Sequence, residues 1–437
     1  MAKTVKSAAE LREEINNSSC AARGFINALF DEGTFLEKGT YVKRGEGYFE
    51  GVVTGCGSVD GRPVFSFVQD ADNEKGAFTA AHGKKIAALY EAALRTGAPV
   101  VALFSGAGAK VTEGVDVLSA YGSVMSAVSE AKGVIPQIAV VNGVCGGASA
   151  ILSEMFDVVI VTEGANRYLT SRGDKVGHAH VVTDDSVSAV KSLLSLLPSS
   201  CDETAPLFDE DPAINDGIDF SALVDGDAHE LVNALSDASP VFLSEESGKE
   251  AITALTRLNG RAVGVVATQP TENGGALTPC AAKKIAYFVD FCGDFNLPVI
   301  TLVNSVGFKT GCGGLRAFSD LAFAYTSCPS AVVTAVVGKA YGSVFTLLGS
   351  RSLGADTVFA LDSAEISILN PETAVEFLSD SELRASSDPA TARQTLKDEW
   401  LSGEASPLNA ARSGDIDDIV ASAELKQRIA SALEFLA

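Results

Sequence analysis

The stretch KGAFTAAHGKKIAALYEAALRTGAPVVALFSGAGAK (Lys75–Lys110) is answered later in the same chain by GGALTPCAAKKIAYFVDFCGDFNLPVITLVNSVGFK (Gly274–Lys309). The match is positional as well as compositional. Gly76 pairs with Gly275, Lys84-Lys85-Ile86 with Lys283-Lys284-Ile285, Pro99 with Pro298 and Lys110 with Lys309, each pair 199 residues apart. Upstream, Gly61-Arg62 and Gly260-Arg261 keep the same offset. Downstream, Gly143 and Gly147 pair with Gly338 and Gly342 at an offset of 195, and INALFD from Ile26 answers VNALSD from Val232. An offset held this long means that one fold is present twice.

Within a copy, two β-rich runs flank a Gly-Arg turn (YFEGVVTGCGSV and RPVFSFVQD) and lead into a long helix. In the first copy that helix is expected over 82–95, with Ile86, Leu89, Tyr90 and Leu94 close to one stripe and Gly97-Ala98-Pro99 ending it. PVVALFS then reads as a short apolar strand buried in a parallel sheet. A second helix over 115–132, the strand PQIAVVNG, a glycine turn, another helix and the strand DVVIVTEG follow. Strand, turn and helix units of this kind imply right-handed crossovers in a layered α/β domain.

Composition narrows the function. The 437 residues carry 33 Lys+Arg against 56 Asp+Glu, a net charge of −23, and 46% are hydrophobic. A chain this acidic lacks the basic footprint that a nucleic acid requires. No apolar run approaches the roughly 18 to 20 residues of a membrane span, and MAKTVKSAAELREEINNSS has no greasy core of a secretory signal, so the cytoplasm is the expected location. The eight cysteines form no CxxC and lie in apolar segments, as reduced buried thiols do. Residues 201–250 hold 14 Asp+Glu against one Lys, with Pro206, Pro212 and Pro240, and read as a linker with the domain boundary between about 200 and 225.

The chemistry resides in glycine turns where strands end and helices begin, because the first amides of a helix have no partner of their own. The candidates are SGAGAK (Ser105–Lys110) and GVCGGA (Gly143–Ala148) in the first copy, and SVGFKTG (Ser305–Gly311) and GKAYGS (Gly338–Ser343) in the second. Two such turns facing one another form an oxyanion hole, which stabilises negative charge developing on a thioester or amide oxygen. Close helix–sheet packing is the other use of such glycines. GxGxxG, GxxxxGK[ST] and GxSxG are all absent.

INALFDEGTFLE, VVTGCGSVDGRPVFSFVQD, GAFTAAHGKKI, GAPVVALFSGAGAKVTEGVDVL, VGFKTG, GKAYGS and ADTVFALDSAEISILNPETAVEFL together resemble the carboxyltransferase subunit of biotin-dependent acyl-CoA carboxylases and decarboxylases, of the acetyl-, propionyl-, methylmalonyl- or glutaconyl-CoA type. The resemblance runs from about residue 21 to about residue 435. It implies an α/β fold of two tandem duplicated crotonase-like (ClpP/crotonase) ββα-superhelix domains. Residues 1–205 would form the acyl-CoA side and residues 206–437 the biotin side.

The resemblance also implies roles. Amides of Gly108, Ala109, Gly147 and Ala148 would hold the thioester oxygen as an enolate forms. Those of Gly307, Phe308, Gly342 and Ser343 would hold the ureido oxygen of biotin, whose nitrogen would take the α-proton while the enolate takes up CO2. Lys84, Lys85, Lys110, Lys339 and Tyr341 are the expected cofactor-binding residues, and no metal is expected. Ala148 and Ser343 stand where the family usually repeats glycine, and Lys110 where it commonly has arginine, which alone could form a bidentate fork. The implied cofactors and partners are biotin on a separate biotin carboxyl carrier protein, a coenzyme A thioester as substrate, a biotin carboxylase or membrane decarboxylase subunit, and further copies of the chain as a dimer or trimer of dimers.

Other residues have plainer readings. Arg62 and Arg261 are expected as turn residues, His82 as a local helix-start partner, and His178 and His180 as an HxH without a third ligand. Two other functions stay open: a crotonase-type hydratase, isomerase or hydrolase using Glu113 or Asp116, and a non-catalytic subunit of a carboxylase complex.

Overall fold

In a computed structural model the described residues are 6–16, 21–44, 48–49, 51–170, 173, 177–199, 218–311 and 313–436. Cys20, Cys201 and Cys312, residues 200–217 of the span expected to hold the domain boundary, and much of the segment 171–176 lie outside them. The chain divides into two compact units, Met1–Ala205 and Pro206–Ala437. Among the described residues no helix is long and apolar enough to cross a membrane.

The first unit is built on one sheet whose strands lie side by side in chain order: Leu36–Lys38, Val52–Val59, Arg62–Gln69, Val100–Gly106, Gln137–Gly146, Val158–Val161 and Val181–Val182. The first three pair antiparallel, the second and third through the Asp60-Gly61 turn, and all later pairs are parallel. Asn166–Tyr168 leaves this path and pairs parallel with the far end of Gln137–Gly146. The second unit repeats the plan with Val241–Leu243, Ala251–Leu258, Arg261–Thr268, Val299–Ser305, Val332–Tyr341, Thr357–Leu361 and Asp418–Val420. Its off-path strand is Glu365–Ser367, paired with the end of Val332–Tyr341.

The central parallel strands are each followed by a helix that covers the sheet, so they are buried on both faces and read as apolar runs. Val100–Phe104 is buried throughout, as is Val299–Ser305. The helix expected over 82–95 spans Ala80–Thr96. Thr79 caps it by accepting from the His82 amide, and the His82 ring nitrogen accepts from the Thr79 amide in return. Gly97, with φ of 68°, ends it in the left-handed conformation. Its partner Pro279–Asp294 starts from Thr278 with proline at the first turn.

The duplicated lysines show why the sequence repeats. Lys85 donates its ammonium to Val52 O at 2.5 Å, and Lys284 donates to Ala251 O at 2.7 Å. Both are buried, and both satisfy a strand carbonyl that helix packing cuts off from water. Arg62 binds Leu194 O and, at 2.9 Å, Leu197 O, so it finishes the helix Ser186–Leu196.

Candidate active site: paired glycine turns

The parallel strands Val100–Gly106 and Gln137–Gly146 keep strict register from Val100↔Gln137 to Phe104↔Val141, then slip, so that Gly106 faces Cys145. The second unit slips at the same place, between Val303 and Ser305, where Ser305 faces Ala340. These irregularities bring the two turns of each unit together at one end of its sheet. In the first unit a Cβ on Gly146 would lie 2.7 Å from Ala107 O and one on Gly108 3.3 Å from Gly146 O, so the turns are in direct contact. Gln69 Oε1 accepts from the Ser105 amide at 3.0 Å, and in the second unit Asn304 Oδ1 accepts from the Lys339 amide at 2.9 Å, which fixes the turns to their sheets.

At the first turn, Phe78 brackets Ala109: its amide donates to Gly108 O at 2.8 Å and its carbonyl accepts from the Lys110 amide at 2.8 Å. In a parallel pairing of this kind the amide of the bracketed residue points the other way. Leu277 brackets Phe308 in the second unit, with Lys309 N donating to Leu277 O at 2.8 Å. The amides of Ala109 and Phe308 are therefore turned away from the flanking strand.

At the second turn the four expected glycine-side donors separate into two kinds. Gly147 N donates to Tyr168 O at 2.7 Å and Gly342 N donates to Ser367 O at 2.9 Å. Those amides are consumed by the off-path strands, which narrows the expected donor set. The amides next in line belong to Ala148 and Ser343, first residues of the helices Ala148–Glu154 and Ser343–Leu347, where no intrahelical acceptor exists. Gly147 has φ 61° and ψ −132°, and Gly342 φ 61° and ψ −138°, a combination open only to glycine. Ala148 and Ser343 are helical and need no glycine, which explains how the turn keeps its shape without the second one.

The expected cofactor-binding residues also separate. Lys84 is exposed, whereas the Lys85 ammonium is spent on Val52 O inside the unit, a correction forced by burial of a carbonyl that needs a donor. Lys110 forms an ion pair with Glu74 beside the first turn. Lys339 is half-buried opposite Glu365 in register, and the Tyr341 hydroxyl donates to Glu365. Burial, then the bond to Glu365, push the Tyr341 phenol far above its ordinary range, so it stays protonated. Burial likewise raises the Cys145 thiol to about 12, which excludes it as a thiolate nucleophile at this turn.

Other candidates have structural employment. Ser149 shares a hydrogen bond with the Tyr121 hydroxyl at 2.6 Å and is buried. The Glu113 carboxylate accepts from the Ala80 amide at 2.7 Å, at the start of the helix Ala80–Thr96. Asp116 is exposed in the first turn of Val115–Ala131. His180 Nδ1 accepts from the Val159 amide at 3.0 Å, and burial, with His178 and Arg167 nearby, lowers its pKa to about 3.

Sequence reasoning missed the carbonyls of Tyr168 and Ser367, because a backbone acceptor leaves no mark on residue type. It also missed Arg167, which is buried on the off-path strand and binds Glu154 and His178 O, tying that strand to the helix Ala148–Glu154. The isolated arginine in NRYL was the one available signal.

The family model of the carboxyl transferase domain matches residues 14–184 and 173–437. The methylmalonyl-CoA carboxyltransferase 12S subunit of Propionibacterium freudenreichii subsp. shermanii is 32% identical, over 95% of this chain and 88% of that one. The methylmalonyl-CoA decarboxylase subunit alpha of Propionigenium modestum is 31% identical, over 95% and 90%. A transcarboxylase 12S crystal structure, described as a hexamer with methylmalonyl-coenzyme A and methylmalonic acid bound, superposes with a TM-score of 0.89 at 30% identity, over 99% of this chain and 96% of that one. The fold is thus a tandem pair of crotonase-like ββα domains.

Proposed function

The chain belongs to the carboxyl transferase domain family, and on that premise we propose that it moves a carboxyl group between biotin on a carrier protein and a short acyl-CoA. The first unit takes the acyl-CoA and the second takes biotin. The observation that carries this reading is the pair of glycine turns, built twice with the same conformation at Gly147 and Gly342.

In the first unit the amides of Ala148 and Ala109, with Gly108 beside them, hold the thioester oxygen as it gains negative charge. Fixed backbone donors aimed at a developing oxyanion are worth about 10²- to 10³-fold each in rate. No side chain has to titrate, which agrees with a buried Cys145 thiol, a hydrogen-bonded Ser149 and a Glu113 carboxylate already bound to Ala80. In the second unit the amides of Ser343 and Phe308 are the equivalent donors, and they fit an uncharged carbonyl oxygen of the ureido type. Biotin supplies a nitrogen on which a carboxyl group can be carried. In this reading Lys84, exposed in the first turns of the helix Ala80–Thr96, supplies a cation for a CoA phosphate.

Assembly with further copies and with carrier and decarboxylase or carboxylase subunits follows from the same reading: the named relatives include a decarboxylase subunit and a hexamer. A crystal of the full chain soaked with an acyl-CoA tests it. The thioester oxygen should lie within hydrogen-bond reach of the Ala148 amide. An acyl-CoA bound elsewhere, or none bound, overturns the assignment.

A further inference from the structure

The two amides assigned to the thioester oxygen sit on different turns, Ala109 on the first and Ala148 on the second. One oxygen can accept from both only while the turns hold a fixed spacing. Backbone contact at Gly108 and Gly146 joins the turns directly. A second connection runs behind them through side chains.

It starts at Phe78, which brackets Ala109 with its amide on Gly108 O and its carbonyl on the Lys110 amide, both at 2.8 Å. The Phe78 ring stacks on Tyr121 of the helix Val115–Ala131, with centroids 3.9 Å apart and planes 16° from parallel. The Tyr121 hydroxyl then shares a hydrogen bond with Ser149 Oγ at 2.6 Å. Ser149 directly follows Ala148 in the helix Ala148–Glu154. Phe78, Tyr121 and Ser149 are all buried, so the polar bond is made away from water, where leaving either partner unmatched is costly. Each link from one donor to the other is a hydrogen bond, a ring stack or a covalent neighbour.

The second unit does not repeat this connection. Leu277 and Val344 stand at the places of Phe78 and Ser149, 199 and 195 residues on, and offer neither an aromatic ring nor a hydroxyl. The ring of Phe318 lies instead 4.5 Å from that of Phe308, in the turn itself. Tyr325, the buried tyrosine of the helix Gly314–Ser327, shares its bond with Thr301 Oγ1 at 2.8 Å, inside the strand Val299–Ser305 and ahead of the turn. A device present in one of two copies of the same fold serves what that copy does, since the other copy folds without it.

We infer that Tyr121 is a positioning residue of the first unit: bonded to Ser149 and stacked on Phe78, it fixes the Ala148 amide relative to the Ala109 amide and so sets the oxyanion hole for the thioester. This rests on the reading of the first unit as the acyl-CoA side. Tyr121 acts through the two backbone donors and moves no proton, because burial pushes its phenol far above the ordinary range and keeps it a neutral hydroxyl.

The test uses acetyl-CoA and propionyl-CoA, each isotope-labelled at the thioester carbonyl, bound to the full chain and to Tyr121→Phe, Ser149→Ala, the double variant and Tyr325→Phe. The infrared band of that carbonyl falls in frequency as its oxygen accepts hydrogen bonds. In Tyr121→Phe and in Ser149→Ala it should move back toward the frequency of the free thioester, and kcat for carboxyl exchange should fall about tenfold while acyl-CoA affinity stays within a few-fold. The double variant should lose no more than either single one, because one bond is removed in all three. Tyr325→Phe, which also deletes a buried tyrosine hydroxyl, should leave the band in place. A band unmoved in Tyr121→Phe, one moved equally in Tyr325→Phe, or a double loss equal to the product of the single losses overturns the inference. If the unaltered chain binds neither thioester, or binds one with its band at the free frequency, the acyl-CoA reading itself falls and takes the inference with it.

Discussion

Gly147 donates its amide to the carbonyl oxygen of Tyr168 at 2.7 Å, and this bond passes the role of exposed donor to Ala148. A Cβ on Gly147 would meet nothing within 4 Å, so the demand for glycine is one of backbone conformation alone. Gly147→Ala should therefore distort the turn at a cost of about 1–3 kcal/mol and lower carboxyl transfer about 10²-fold. Ala148→Gly, which keeps the amide, should stay within several-fold of the unaltered chain. Steady-state kinetics on the two variants check this, and equal loss in both would contradict the division of labour.

The paired lysines give a second prediction. Lys85→Met leaves Val52 O buried without its donor, and such a loss costs about 1–3 kcal/mol. Lys84→Met, on the exposed face, should change stability by no more than about 0.5 kcal/mol, yet weaken acyl-CoA binding. Thermal unfolding and CoA titration of both variants separate the roles. A stability loss confined to Lys84→Met would reverse the assignment.

His180 predicts a pH dependence. Its pKa falls to about 3 in the folded chain, against about 6.5 when unfolded. Between those values the unfolded chain binds the extra proton, so stability rises with pH. Its contribution is complete above about 6.5 and is lost progressively as pH falls toward 3. Urea unfolding across this window should show a shallower acid loss in His180→Asn than in the unaltered chain. Identical slopes would mean that other groups carry the acid sensitivity.

Glu113 separates carboxyl transfer from hydration. Because its carboxylate accepts from the Ala80 amide, Glu113→Gln should lower stability by about 1 kcal/mol through the weakened cap and leave carboxyl transfer within several-fold. An assay with an enoyl-CoA should find no hydration in the unaltered chain. Hydration that disappears in Glu113→Gln would favour the hydratase reading.

The repeat was the most legible part of this molecule. Residue pairs 199 apart occupy equivalent strands and helices, down to Lys85 on Val52 O and Lys284 on Ala251 O, because both units bury the same carbonyl in the same way. The glycine turns were legible for a related reason: a φ near 61° with ψ near −135° leaves no other residue type free of strain. The partition of donors was not legible. It depends on Asn166–Tyr168 and Glu365–Ser367 pairing back onto strand ends 22 and 26 residues earlier, and any residue can offer the carbonyl that does this. Nor did Lys84-Lys85 reveal which lysine is buried, since adjacent helical positions differ by about 100° and only the packing surface decides. The left-handed Glu74-Lys75 was hidden because its residue types argue against it, whereas Asn273-Gly274-Gly275 announced the same turn.

Carboxyl exchange measures the central claim most directly. The purified chain would be incubated with malonyl-type CoA labelled in its free carboxyl group and with free biotin, and labelled carboxyl would be followed from one to the other. The account predicts enzyme-dependent transfer to biotin with release of the corresponding acyl-CoA, lowered about 10²-fold in Gly147→Ala and likewise in Gly342→Ala. Binding of acyl-CoA with no exchange at any biotin concentration would contradict it.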